Sequence, residues 1–160
     1  MKAINSLTKV FGFLLISVIF MTATEIAEAQ MKSDIIQYVL KSDSKALSTA
    51  LSNGADVNQQ TKVGNTPLMI AAKIGDRLTI EALLSNDANV NLRNDAGATA
   101  LMIAAKYNNS HIVTALLDNG ADPTIKNNDG HTASSFAKAY KRSEIFAQLK
   151  LAEQNFIAQK

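Results

Sequence analysis

Imidazole titrates near neutrality and ligates metals, so the two histidines are the first side chains to weigh for chemistry. His111 stands in NNSHIV and His131 in DGHTA, unlike local contexts. A ligand pair would need both on one face with a third donor close by. Asp56 and Asp122 form the obvious carboxylate couple for acid–base work, but each sits in the same short phrase, GADVN and GADPT. Equivalent positions in repeated phrases make them turn residues. Met69 and Met102 offer soft thioethers, yet they share a second phrase, LMIAAK, at helical phase, which makes them core filler. The chain has no cysteine, so thiolate zinc sites, cysteine nucleophiles and disulfides are all excluded. It carries no G-x-S-x-G, P-loop, H-E-x-x-H or dinucleotide-type glycine pattern. The expectation is a protein without catalytic residues, metal or cofactor, and so not an enzyme.

The shared phrases belong to a longer unit. Gly64, Gly97 and Gly130 stand thirty-three residues apart and open GNTPLMIAAKIGDRLTIEALLSNDANVN, GATALMIAAKYNNSHIVTALLDNGADPT and GHTASSFAKAYKRSEIFAQLK. ALSTALSNGADVN, upstream at 46–58, matches the end of the same unit, so a fourth copy begins near Met31. Thr66, Thr99 and Thr132 each offer a hydroxyl to cap a helix, with Pro67 at the first helical position. Leu68, Ala71 and Ala72 then fall on one face, the alanines small enough for a neighbouring helix to come close. Gly75 and Asn108 stop this first helix. Ile80, Leu83 and Leu84, repeated as Val113, Leu116 and Leu117, mark a second helix, which Gly54 and Gly120 close in their copies. Connectors rich in Asn, Asp and Gly turn the chain back.

A G-x-T-P-L opening, an A-A pair, a helix ending in L-L and then G-A-D-V-N resemble the ankyrin repeat. The resemblance implies an all-α solenoid of four helix-turn-helix repeats, near 31–60, 61–93, 94–126 and 127–155, with short β-hairpin fingers. Departures are Met69 and Met102 for the family's histidine, Lys141 at the Gly75 position and Asp87 at that of Gly54 and Gly120. The missing imidazole predicts that its inter-repeat hydrogen bonds are absent. Each copy needs neighbours to bury its apolar face, so end copies are expected to turn polar. The first has Ser33 and Asp34 as a plausible cap. The last has Ser134 where Leu68 and Leu101 stand, and Lys138 and Lys150 at apolar positions.

In the family a concave groove of first helices and fingers usually holds a protein partner. The positions after the A-A pair that would face it are Lys73 and Ile74, Lys106 and Tyr107, then Ala139 and Tyr140. Tyrosine supplies rigid contact area and lysine electrostatic steering. Lys62, Asn65, Arg93, Asp95, Lys126 and His131 would form the rim. Partner identity is left open, because repeat surfaces of this kind vary freely. Rival readings are a secreted effector acting in a host cell, a self-associating structural subunit, and a hydrolase built on the scaffold.

Residues 1–29 read as an address. Lys2 and Lys9 bracket a basic start, VFGFLLISVIFM (10–21) is an apolar run, and Ala27 and Ala29 stand in A-x-A register. The run is shorter than the roughly 20 residues that span a bilayer. Cleavage after Ala29 is expected, leaving residues 30–160 in the periplasm or secreted, with no membrane span; an uncleaved anchor is the alternative. The whole chain has 160 residues, 47% apolar, only 6% aromatic and without Trp, which suits one domain built on small helix–helix contacts. A net charge of +2 argues against nucleic acid and anionic membrane as partners. A monomer is expected.

Overall fold

The computed structural model describes residues 35–159; the leader at 1–29, the start of the first copy at Met31 and the Ser33–Asp34 cap lie outside them. Among the described residues eight helices follow in chain order: α1 (Ile35–Leu40), α2 (Ser44–Ser52), α3 (Pro67–Ile74), α4 (Arg77–Leu84), α5 (Ala100–Tyr107), α6 (Ser110–Asp118), α7 (Ala133–Ala139) and α8 (Ser143–Ala158). They form four helix pairs. The odd-numbered helices pack on one another in one row, the even-numbered in a second, and each pair joins the two rows.

Local chemistry starts each first helix. Thr66 Oγ1 accepts from the Met69 N–H at 3.2 Å, Thr99 Oγ1 from Met102 at 3.4 Å, and Thr132 Oγ1 from Ser135 at 3.4 Å. The departure from histidine at position 69 leaves no gap at this cap, because Met69 Sδ itself accepts the Thr66 N–H at 3.5 Å. Ser135 Oγ does the same for Thr132 at 3.3 Å. The helices stop where φ turns positive. Gly75 and Asn108 take +87° and +66°, and the equivalent Ser42 and Lys141 take +53° and +56°. Ser42 shows that the first pair follows the same backbone path although its sequence opening differs.

The core is a continuous layer between the rows. Leu68, Ala71 and Ala72, then Leu101, Ala104 and Ala105, are buried, as are Ile80 and Leu83, then Val113 and Leu116. Met69 and Met102 are buried among them. Removing this apolar surface from water stabilises the stack by about 25 cal/mol per Å². The alanines let the first-helix row close up.

Two expectations need correction. The connectors are not β-hairpins: no strand occurs among the described residues. Each connector is a tight turn closed by one backbone pair, such as Asn94 N to Ala98 O at 3.0 Å with Gly97 N to Asn94 O at 2.7 Å. One pair closes a turn, whereas a ladder needs several. Fingers are joined to each other instead, by Asp95 N to Val63 O at 3.3 Å and Asn128 N to Ala96 O at 3.1 Å.

The second correction concerns the last copy. Ser134 does not meet water: it is buried and donates to Glu153 Oε1 at 2.6 Å. α8 runs well past its equivalents and lays Glu153 over the start of α7. There it also accepts from Thr132 Oγ1 at 3.3 Å and from Lys150 Nζ at 2.6 Å. Phe156 lies within α8 and is half-buried. Lys138 and Lys150 remain exposed.

Candidate functional site

Last-turn residues of the first helices form two columns across the stack. One runs Leu40, Lys73, Lys106, Ala139; the other runs Lys41, Ile74, Tyr107, Tyr140. Leu40 and Lys41 were not singled out from sequence. The thirty-three-residue register carried back into the first copy was the signal that would have found them.

The columns are physically linked. The Lys73 ammonium lies 5.8 Å from the centroid of the Tyr107 ring, Lys106 lies 5.8 Å from the same ring, and Lys106 also lies 5.3 Å from the Tyr140 ring. Each such contact contributes about 0.5–1 kcal/mol at an exposed site. Their chief effect is to restrain two long, flexible cations, Lys73 against the Tyr107 ring of the next helix and Lys106 between the Tyr107 and Tyr140 rings. Leu40, Ile74, Tyr107 and Tyr140 stay exposed, the two tyrosines at 44%. Lys73 is exposed and Lys106 half-buried.

The rim residues divide. Lys62, Asp95, Lys126 and His131 have exposed side chains, and the His131 ring meets Phe136 edge-on at 6.0 Å. Asn65 and Arg93 also brace the fingers. Asn65 Oδ1 accepts from Asn94 Nδ2 at 2.8 Å, and Arg93 donates to Gly97 O and Asn128 Oδ1, both at 3.1 Å. Sequence reasoning missed the finger asparagines as organisers. Asn94 Oδ1 accepts from the Ala96 and Ala98 N–H groups, Asn127 Oδ1 from Asp129 and His131.

The chemistry-bearing residues stay apart. His111 lies in the first turn of α6 on the second-helix row, away from the finger that carries His131. Asp56 and Asp122 each accept a backbone N–H two residues on, from Asn58 at 2.9 Å and Thr124 at 2.8 Å. Among the described residues no cluster of three His, Asp or Glu side chains is placed to hold a metal ion. A groove of about 370 Å³ lies between α4 and α6, bordered by Arg77, Glu81, His111, Thr114 and Asp118. Its Arg77 and Glu81 pair with each other at 2.6 Å.

Among the described residues the Asp76 carboxyl is shifted from its ordinary range. Burial works against its charge, but hydrogen bonds from the Thr79 hydroxyl and amide, the Ser42 hydroxyl and the Leu78 amide outweigh it and lower its pKa below 3.8. It caps α4, with the Thr79 hydroxyl at 2.6 Å. Its role is structural, tying the second helix pair to the first.

A family model described as ankyrin repeats (3 copies) matches residues 34–127 and 71–155, so its matches cover most of the chain. No curated protein matches.

Proposed function

Because the chain belongs to the ankyrin-repeat family, whose members generally bind protein partners and do no chemistry, we propose that it is an exported scaffold that binds another protein non-covalently. The bound partner lies on the face carried by the first-helix row. The observation that carries this reading is the linked row of Lys73, Tyr107, Lys106 and Tyr140, with Leu40 and Ile74 exposed beside it. Exposed aromatic area and cations held in position are what recognition hot spots are made of. Export rests on residues 1–29 of the sequence and adds that the working chain starts at Gln30. No helix among the described residues is long and apolar enough to cross a membrane.

Affinity capture followed by mass spectrometry tests the proposal. Replacing Lys73, Lys106, Tyr107 and Tyr140 by Ala is expected to abolish capture and leave the helical signal intact, because these are surface side chains and Ala favours helix. Replacing Arg77, Glu81 and Thr114, on the second-helix row, is expected to leave capture unchanged. The groove between α4 and α6 supports a second reading in which that side binds. Loss of capture in the second set alone would establish it and overturn the first. Intact mass of the purified protein tests export: a chain beginning at Gln30 is expected, and the full-length chain found in the cytosol overturns it.

A further inference from the structure

The four first helices contain no Asp or Glu, and their charged residues are Lys73, Lys106 and Lys138, with Lys41 directly after α1. Among the described residues the ion pairs are Arg77–Glu81 and Lys150–Glu153, both on second helices. Among the described residues no ion pair neutralises the ammonium groups of the first row; Lys73 and Lys106 rest against tyrosine rings. A lysine in a last turn complements the helix dipole, and that alone accounts for one cation per helix. It does not account for the tyrosine beside each of two such positions, nor for a row without any carboxylate.

We infer that this face takes an extended acidic polypeptide segment with apolar side chains set between its carboxylates. The inference rests on the binding face proposed above and names what that face selects. Charge complementarity carries the acidic part: uncompensated lysines prefer a carboxylate partner and penalise a basic one. The apolar part follows from Leu40, Ile74, Tyr107 and Tyr140, which are 54%, 46%, 44% and 44% exposed. Packed helices stand about 8–10 Å apart, and an extended chain advances about 3.3 Å per residue. One repeat step thus matches about three residues of the partner, and the whole row about nine. A carboxylate and an apolar side chain in every three residues would meet the row in register at its two central steps, Lys73 with Ile74 and Lys106 with Tyr107. Lys73 and Lys106 already rest against the rings, so binding costs less of their freedom. Single-stranded nucleic acid fits worse. Its bases need a ring at each step, whereas the first two steps here are Leu40 with Lys41 and Lys73 with Ile74.

The test titrates the purified chain against fluorescent nine-residue peptides, read by anisotropy. The probes are a triple Glu-Leu-Ser repeat, a triple Lys-Leu-Ser repeat, a triple Glu-Ser-Ser repeat and a nine-nucleotide oligothymidylate. The Glu-Leu-Ser peptide is expected to bind at least tenfold tighter than the other three, with association slowed by added salt. Lys73→Glu with Lys106→Glu is expected to reverse the order of the acidic and basic peptides. The milder Lys73→Gln with Lys106→Gln is expected to erase the preference without reversing it. No binding of the acidic peptide, equal binding of the basic one, a preference that survives both lysine variants, or tighter binding of the oligonucleotide each overturns the inference. If partner capture still depends on the strip in any of those cases, the protein-binding face stands and only its charge class falls.

Discussion

Gly64, Gly97 and Gly130 occupy the same turn of successive fingers at φ +75°, +73° and +80°, so the three differ mainly in what stacks on them. A Cβ built on Gly97 lies 2.8 Å from the backbone N of Asn128 in the next finger, and one on Gly64 lies 2.9 Å from the backbone N of Asp95. Gly130 belongs to the last finger, and a Cβ there meets nothing within 4 Å. Alanine at Gly130 bears only the left-handed backbone cost, about 1 kcal/mol. At Gly97 the same cost is joined by overpacking against backbone that cannot swing aside, about 1–3 kcal/mol more. The expected totals are about 1 kcal/mol for Gly130→Ala and about 2–4 kcal/mol for Gly97→Ala. With a urea m-value of about 2 kcal/mol/M, the midpoints fall by about 0.5 M and about 1–2 M. Urea titration followed by far-ultraviolet circular dichroism measures both. Equal shifts would refute the claim that the fingers are held by stacking on one another, and would reduce these glycines to backbone conformation alone.

Leu101→Ala opens a cavity in a helix with neighbours on both sides and is expected to cost about 2–5 kcal/mol. Phe156→Ala, at the half-buried end of α8, should cost clearly less; equal urea shifts would contradict a stack stabilised by nearest neighbours. Asp76→Asn keeps a capping oxygen but loses the charge that accepts from Thr79, Ser42 and Leu78, an expected loss of about 1 kcal/mol at pH 7. Because the folded carboxyl has its pKa lowered below 3.8, its contribution is present above that value and is lost as pH falls through the folded pKa. Stability curves of the two proteins should therefore draw together as pH falls from 3.8 through the lower folded pKa, and a gap that does not narrow over that fall would refute the assignment. Lys141 holds φ +56° where Gly75 stands in its own copy, so Lys141→Gly is expected to raise the melting temperature, by a stabilisation of about 1 kcal/mol. A lowered melting temperature would mean that the lysine side chain contributes more than its backbone strain costs.

Much of the fold was legible because it is encoded locally and then repeated. The threonine caps, Pro67, the leucine and alanine spacing and the left-handed stops at Gly75 and Asn108 each act within a few residues. Recurrence at one interval removed the ambiguity that a single copy would leave. The β-hairpin fingers were an implication of the family resemblance, whereas turn composition itself reveals only that the chain reverses. It does not reveal whether the arms extend far enough to pair. Ser134 was misjudged for a different reason. A polar residue at a leucine position reads as a surface residue unless the sequence also shows what will cover it, and Glu153 lies nineteen residues on.

The candidate strip was legible only as a pair of columns. Sequence register placed Lys73, Lys106, Tyr107 and Tyr140 at equivalent positions and set them apart from the core. Which ammonium would lie over which ring depends on how closely one first helix approaches the next. Short-range pattern thus determined the repeat, the helix ends and the buried faces, because capping, periodicity and left-handed stops are properties of neighbouring residues. Tertiary structure alone decided the lysine–tyrosine linkage, the finger-to-finger bonds through Asn128 and the closure of the last pair by Glu153. Those interactions join atoms far apart in the chain, and their energies exist only once packing has brought them within a few ångströms.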